Sequence, residues 1–225
     1  GDAQHCGDLD PYRWGLEQFV CLESSAVPGI AYTNATTGEL RYVNGSGGDN
    51  GRCMAGNFLN TYPGAVGLSL GSDAISLVAD RVITGASGWG DDHVNARVYW
   101  DGDLLDEFMD SPGTERSPCV YKAPGQAEVG TSRGTYLNDR CWMGAGQLNN
   151  SSKNNASFLG DIIGDWREEI VTRNGENAIR IQTTSYPSKW GITTLWADSA
   201  VSNTKYAAPS PRFKPARSLS KGLQG

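Results

Sequence analysis

The sequence has no apolar run long enough to cross a bilayer as a helix and no sustained heptad, so it offers no candidate for a membrane-spanning helix or a long coiled coil. Histidine occurs only at His5 and His93, and there is no Gly-x-Ser-x-Gly elbow, which argues against a Ser-His-Asp hydrolase. No P-loop occurs. None of the cysteines (Cys6, Cys21, Cys53, Cys119, Cys141) forms a Cys-x-x-Cys pair, which argues against a structural zinc site. Basic charge is scarce: 19 Lys and Arg stand against 25 Asp and Glu, for a net charge of −6, so phosphate-backbone binding is not the main task. No signal-peptide pattern precedes Gly-Asp-Ala-Gln, which is expected either of a chain whose signal has been removed or of a piece of something longer.

What is abundant is glycine, 29 of 225 residues, with only modest aliphatic content. That composition suits a turn-dense all-β protein. Acidic residues gather at short spacing in tight turns that run into apolar strands. Gly160-Asp-Ile-Ile-Gly-Asp-Trp-Arg-Glu-Glu169 precedes Ile170-Val171, and Gly7-Asp-Leu-Asp-Pro-Tyr-Arg-Trp-Gly-Leu-Glu17 precedes Gln18-Phe19-Val20. A weaker copy, Gly56-Asn-Phe-Leu-Asn-Thr-Tyr-Pro-Gly64, precedes Ala65-Val66. Alternating hard oxygen ligands in a flexible turn suit calcium, which takes six to eight of them. The last gap between turns is about twice the first, which fits a repeat of roughly 50 residues, the length of a propeller blade. About four blades are expected, with an open edge where a ring should close.

Short strands separated by turn clusters are predicted throughout. Residues 2–7 and 17–24 read as a hairpin, as do 29–34 with 39–43 around Thr37-Gly38, and 52–58 with 65–70. Residues 75–79 and 97–100 read as strands, 103–109 as a helical turn or edge strand, and 168–173 with 178–184 as a last hairpin. Polar loops are expected at 44–51 and 144–157, the latter carrying Lys153, and a Gly-rich loop at 84–95. The domain reading is residues 1–200 as a partial propeller and 201–225, rich in Ser, Pro, Ala and Lys, as a poorly ordered tail. Cys6 and Cys21 flank the first acidic turn and are expected to pair as a disulfide, the alternative being two buried free thiols; Cys53 is taken as the thiol left over. Sequons at Asn34, Asn44, Asn149, Asn150 and Asn155 are compatible with a secreted, extracellular protein.

Four stretches carry a family resemblance. Gly1-Asp-Ala-Gln-His-Cys-Gly-Asp-Leu-Asp-Pro-Tyr-Arg-Trp-Gly-Leu-Glu17, Tyr99-Trp-Asp-Gly-Asp-Leu-Leu105, Gly164-Asp-Trp-Arg-Glu-Glu169 and Arg180-Ile-Gln-Thr-Thr184 resemble the rhamnogalacturonan lyases of the eleventh polysaccharide lyase family, over roughly residues 1–198. The resemblance implies the C-terminal half of an eight-bladed, calcium-containing β-propeller. It also implies cleavage of the rhamnose–galacturonate bond of rhamnogalacturonan I, the acidic pectin backbone, by β-elimination.

Such an elimination needs a base for the C5 proton, a cation to neutralise the neighbouring carboxylate, and help for the leaving oxygen. A Lys can be the base when a nearby cation lowers its pKa. By resemblance, Lys153 in Asn149-Asn-Ser-Ser-Lys-Asn-Asn155 matches the family's proposed catalytic Lys, and Arg52 in Gly51-Arg-Cys-Met-Ala55 its active-site Arg; the bland alternatives are a solvated loop Lys and a surface salt bridge. Asp2 and Glu23 match carboxylates that hold calcium at the active site, and the His ligand that the family places two residues before Asp2 lies outside this sequence. His5 reads as a satisfied strand residue rather than a substitute for it. Asp8, Asp10 and Glu17 read as one structural calcium loop, with Tyr12 where family members often carry a third acid, or as an Asx-turn without metal. Asp161, Asp165 and Glu169 form another set, whereas Asn57 and Asn60 imply a weak or empty site. Trp100 and Trp166 are expected to pack between blades rather than stack on sugars.

The expected partner is an acidic polysaccharide, with missing N-terminal blades or another chain completing the ring. Two other function classes compete: a non-catalytic, calcium-dependent glycan-binding fragment and a structural adhesion propeller. After Thr194-Leu-Trp-Ala-Asp198 the sequence departs from the family's usual closing strand, at Tyr206-Ala-Ala-Pro-Ser-Pro-Arg-Phe-Lys-Pro215.

Overall fold

In a computed structural model the described residues are 3–23, 26, 28–44, 50–70, 72–83, 95–111, 116–123 and 146–191. They form four antiparallel meanders in chain order. The first sheet is β1 (Gln4–Gly7), β2 (Glu17–Glu23), β3 (Pro28–Asn34) and β4 (Leu40–Asn44). The second is β5 (Cys53–Gly56), β6 (Val66–Ser69), β7 (Ile75–Ser76) and β8 (Arg81–Val82). The third is β9 (Ala96–Val98), β10 (Glu107–Asp110) and β11 (Cys119–Tyr121), and the fourth β12 (Phe158–Gly160), β13 (Glu169–Arg173) and β14 (Ile179–Gln182). Among the described residues there is no α-helix; a single 3-10 turn spans Ser151–Lys153.

The alternation of side chains along each first or second strand decides how the sheets stack. On β2, Phe19 and Cys21 are buried in a cluster with Cys53, Ala55, Ile75 and Leu77 of the second sheet. On β5, Cys53 and Ala55 join that cluster, while the intervening Met54 packs with Phe108 and Tyr121 of the third sheet. On β10, Phe108 faces the second sheet, and the next residue, Met109, packs with Leu148 and Ile170 beside the fourth. The two middle sheets are therefore covered on both faces, which is why β5, β6, β10 and β11 are buried along their whole length. Gly67 lets Phe19 approach closely: a Cβ there would meet the Phe19 ring at 2.8 Å. Phe58 and Phe108 meet edge to face at 4.5 Å across the second and third sheets.

Several sequence expectations are corrected. Residues 103–109 are neither helix nor edge, because β10 is the central strand of the third sheet, paired with both β9 and β11. The strand expected at 75–79 stops at Ser76, whose hydroxyl accepts from the Ala79 amide at 3.2 Å and turns the chain. Cys6 and Cys21 are free thiols. Cys6 stands opposite Gln18 and Cys21 opposite Ile30, so the period-two pleat sends them to opposite faces of the sheet. Cys21 instead lies beside Cys53, also a free thiol, and both sulfurs reach the Ala3 carbonyl, at 3.6 and 3.4 Å. Cys119 is disulfide-bonded. Asp2, most of the loops at 44–51 and 84–95, and the tail at 201–225 lie outside the described residues.

Candidate functional site

Each sheet's first two strands are joined by a turn, and these turns gather on one rim. Turn one (residues 8–17) meets turn two (57–66) through the Ala65 amide and the Leu9 carbonyl, at 3.0 Å. Turn two meets turn three (99–107) through the Asp106 amide and the Asn57 carbonyl at 3.0 Å, and through the Asn57 amide and Asp106 Oδ2 at 2.6 Å. Turn three meets turn four (161–169) through a reciprocal pair: the Glu168 amide donates to the Tyr99 carbonyl at 2.8 Å, and the Tyr99 amide to Glu168 Oε2 at 2.9 Å.

Three of these turns share one device. A Glu opens the second strand and reaches back over the turn. Glu17 Oε2 accepts from the Leu9 and Asp10 amides at 3.0 and 3.1 Å. Glu107 Oε2 accepts from Trp100 and Asp101 at 2.8 and 3.3 Å. Glu169 Oε2 accepts from Ile162 and Ile163 at 2.7 and 3.2 Å. All three glutamates are fully buried. In turns one and four the second oxygen, Oε1 of Glu17 and of Glu169, is buried without a hydrogen-bond partner among the described residues. A buried carboxylate oxygen left unpaired is costly, so the donor set fits a cation at that point. Burial raises the carboxyls of both Glu17 and Asp10, in each case against the pull of backbone amides.

Around those atoms the predicted ligands fall as follows. Asp8 and Asp10 stand in turn one, Asp10 fully buried, with Arg13 Nε at 3.1 Å from Asp10 Oδ2. In turn four, Asp161 accepts from Gly164, Asp165 and Trp166 amides at 2.7, 3.0 and 3.0 Å, and Asp165 pairs with Arg167. Gly164 and Trp166 take left-handed backbone conformations, which closes the turn tightly. Turn two has Asn57 and Val66 where turn one has Asp8 and Glu17, carries Asn60 further along, and has no carboxylate of its own. Trp100 and Trp166 are both buried, Trp166 edge-on to Tyr99 at 6.0 Å, so they serve packing as expected.

Turn three was noted in the sequence as a family motif but not as an acidic turn, and it explains why one gap between turns was twice the other. Asp101, Asp103 and Glu107 bring carboxylate oxygens within 4.8 Å of one another, a set that can hold a cation. Lys122, just after β11, points its ammonium at all three: 2.6 Å from Asp101, closer still to Asp103, and 3.3 Å from Glu107 Oε1. The neighbouring Asp106 is held by Arg97 at 2.8 Å, a pair almost wholly removed from solvent.

The opposite rim gathers Arg52 and the Lys153 loop. Arg52 precedes β5, and its Nη1 lies 3.9 Å from Asp110 Oδ2 at the end of β10. Asp110 Oδ1 accepts from Asn154 Nδ2 at 3.3 Å, and the same amide donates to the Ser111 carbonyl at 3.1 Å. Asn154 directly follows Lys153, and Asn95 donates to the Asn154 carbonyl. Reciprocal backbone bonds between Asn149 and Asn155, at 2.6 and 3.0 Å, close the loop at its neck. Inside that neck Asn150, Ser151 and Asn154 all hold positive φ, of 62°, 51° and 50°. Three non-glycine residues in that region within five positions is backbone strain of the kind that collects at functional sites. The structure thus brings the Lys153 loop to Arg52 through Asp110 and Asn154, neither of which the sequence had singled out. Glu23 ends β2, exposed to solvent, and Asp2 lies outside the described residues.

A family model described as "Rhamnogalacturonan lyase family 11, C-terminal domain" matches residues 1–211. The chain is 33% identical over 232 residues to the rhamnogalacturonan exolyase YesX of Bacillus subtilis, an overlap covering 93% of this chain and 35% of that protein. It is 34% identical over 200 residues to the rhamnogalacturonan endolyase YesW of the same organism, covering 88% of this chain and 29% of that one. The crystal structure of the rhamnogalacturonan lyase YesW matches at a TM-score of 0.74 with 33% identity, over 93% of this chain and 34% of that one. A Bacillus licheniformis rhamnogalacturonan lyase matches at 0.74 and 33%, over 94% and 34%. The chain therefore spans between 29% and 35% of the length of those relatives. Taken with the four stacked meanders, these matches place the chain in the rhamnogalacturonan lyase family 11, at its C-terminal domain.

Proposed function

We propose that this chain contributes four blades of a calcium-containing β-propeller, secreted to the cell exterior, that cleaves the backbone of rhamnogalacturonan I by β-elimination. The serial stacking of four meanders, with both middle sheets covered on two faces, supports the blade reading. The observation that carries the site is the convergence of Arg52, Asp110 and Asn154 next to Lys153 on the rim away from the acidic turns.

Lys153 acts as the base and takes the proton from C5 of the galacturonate. The C5–H electron pair forms the C4–C5 double bond, the C4–O bond breaks, and the departing rhamnosyl-bearing oxygen takes a proton from solvent water. Arg52 pairs with the uronate carboxylate, which acidifies the C5 proton and stabilises the charge that develops beside it. Asp110 aims the guanidinium from behind and, through Asn154, holds the strained loop in place. Asp2 and Glu23 would hold calcium at this rim, where it would supply a second positive charge for the carboxylate. In turn one Asp8, Asp10 and Glu17, and in turn four Asp161, Asp165 and Glu169, would hold calcium structurally; the orphan oxygens of Glu17 and Glu169 support this.

The test is release of unsaturated uronide, read by far-ultraviolet absorbance, from rhamnogalacturonan I with the chain and its Lys153→Ala variant, with and without calcium. Calcium-dependent release that the variant loses is expected. Absence of release, with the polysaccharide still retained on the protein, would make the chain a binding fragment.

A further inference from the structure

The three glutamate-strapped turns differ in what faces the second carboxylate oxygen. In turns one and four, Glu17 Oε1 and Glu169 Oε1 are buried and face no hydrogen-bond donor among the described residues. In turn three, Glu107 Oε1 faces Lys122 Nζ at 3.3 Å, and the same ammonium is 2.6 Å from Asp101 Oδ2 and in contact with Asp103 Oδ2. We propose that Lys122 is the built-in cation of turn three: it stands where turns one and four take a divalent ion, so this turn binds none, and removing the ammonium opens a calcium site.

The geometry supports this in three ways. Lys122 directly follows the third strand of the same sheet, two residues after β10's partner Val120, so the sheet itself delivers the ammonium into the turn. The Lys122 side chain is only 12% exposed and sits among three carboxylates, so a divalent ion entering the turn would have to displace a cation already satisfied there. The one ammonium is shared among Asp101, Asp103 and Glu107, so every carboxylate of the set already faces a cation of the chain. The acidic set left behind has the chemistry for calcium, with oxygens from Asp101, Asp103 and Glu107 within 4.8 Å of one another. The comparison with turns one and four rests on the calcium reading proposed above, but the prediction for turn three does not depend on it.

The experiment counts calcium by equilibrium dialysis against radioactive calcium chloride, on chelator-treated full chain, for the wild type, Lys122→Met and Asp101→Asn. Lys122→Met is expected to bind one more calcium per chain than the wild type, with the extra site lost in Lys122→Met/Asp101→Asn. Asp101→Asn alone is expected to leave the wild-type count unchanged. A folded Lys122→Met, judged by circular dichroism, with no added calcium would overturn the proposal. So would a lowered count in Asp101→Asn, which needs no change at Lys122 and so decides the matter even where Lys122→Met folds poorly. If the wild type binds no calcium while Lys122→Met gains a site, the reading of turns one and four fails and the present one stands.

Discussion

Turn one and turn three are built on one plan and neutralised in different ways. Each has a buried Glu at the head of a second strand, one oxygen holding two backbone amides and the other turned into the bend. Turn three meets that second oxygen with Lys122 and its flanking Asp106 with Arg97. Turn one has Arg13 on Asp10, but that guanidinium is more than a third exposed and is shared with Asp80. Under the calcium reading proposed above, a repeated loop keeps its backbone and changes its source of positive charge. An ammonium is always present, whereas an ion couples the loop to the composition of the medium.

The largest effect expected from breaking this contrast is in turn three. Arg97→Met leaves the Asp106 carboxylate buried without its partner and should cost about 3–5 kcal/mol, read as a lower urea midpoint whether or not calcium is present. Next comes chelation. Removing calcium from the wild type should cost about 2.7 kcal/mol where the ion had stood at roughly a hundred times its dissociation constant. Glu17→Gln should lose much of that sensitivity, and Glu107→Gln should keep it; equal behaviour of the two variants would erase the distinction between the turns.

Smaller still is the effect expected on the other rim. Asp110→Asn keeps the acceptor for Asn154 but drops the charge behind Arg52, so product release should fall about tenfold, about 1.4 kcal/mol, with a larger change in kcat than in KM. Rescue by Asp110→Glu would separate aiming of the guanidinium from simple packing.

The smallest effect concerns the join between the first and second sheets, where His5 Nε2 bonds to the Cys53 carbonyl at 2.9 Å. Burial holds the His5 imidazole below its ordinary pKa, with the Cys53 carbonyl pulling the other way. The unfolded chain therefore takes up a proton near pH 6.5 that the folded chain refuses. The stabilising contribution is complete above that pH and is lost as the pH falls from about 6.5 toward the lower folded value. The difference in urea midpoint between pH 7.5 and pH 5.5 should shrink in His5→Gln.

Much of this architecture could be read from residues alone, and the exceptions have physical causes. Alternation in Gln18-Phe-Val-Cys-Leu and the turn residues Thr37-Gly38 placed the first sheet's strands to within a residue or two. In the third sheet the strand at 97–100 was legible, but the central place of the next one was not, because Leu104, Leu105, Phe108 and Met109 lie at spacings that also suit a helix and the strand itself is only Glu107–Asp110. The disulfide expectation failed on pairing register, which flanking position around a turn does not specify. Lys153 and Arg52 entered as candidates through their match to family motifs. Asp110 and Asn154 were not, because the contact between them joins residues 44 positions apart and only the stacking of sheets creates it. Lys122 carried no signal either, since a lone Lys after a strand is ordinary in sequence and distinctive only when three carboxylates surround it.

The backbone bonds that lace neighbouring turns together also give the molecule three natural reporters. The amides of Ala65, Asp106 and Glu168 each donate to a carbonyl on the adjoining sheet. Each is shielded from solvent exchange only while its own pair of sheets stays apposed. Their relative deuterium uptake would show whether the sheets separate in succession, like pages, or let go together as a block.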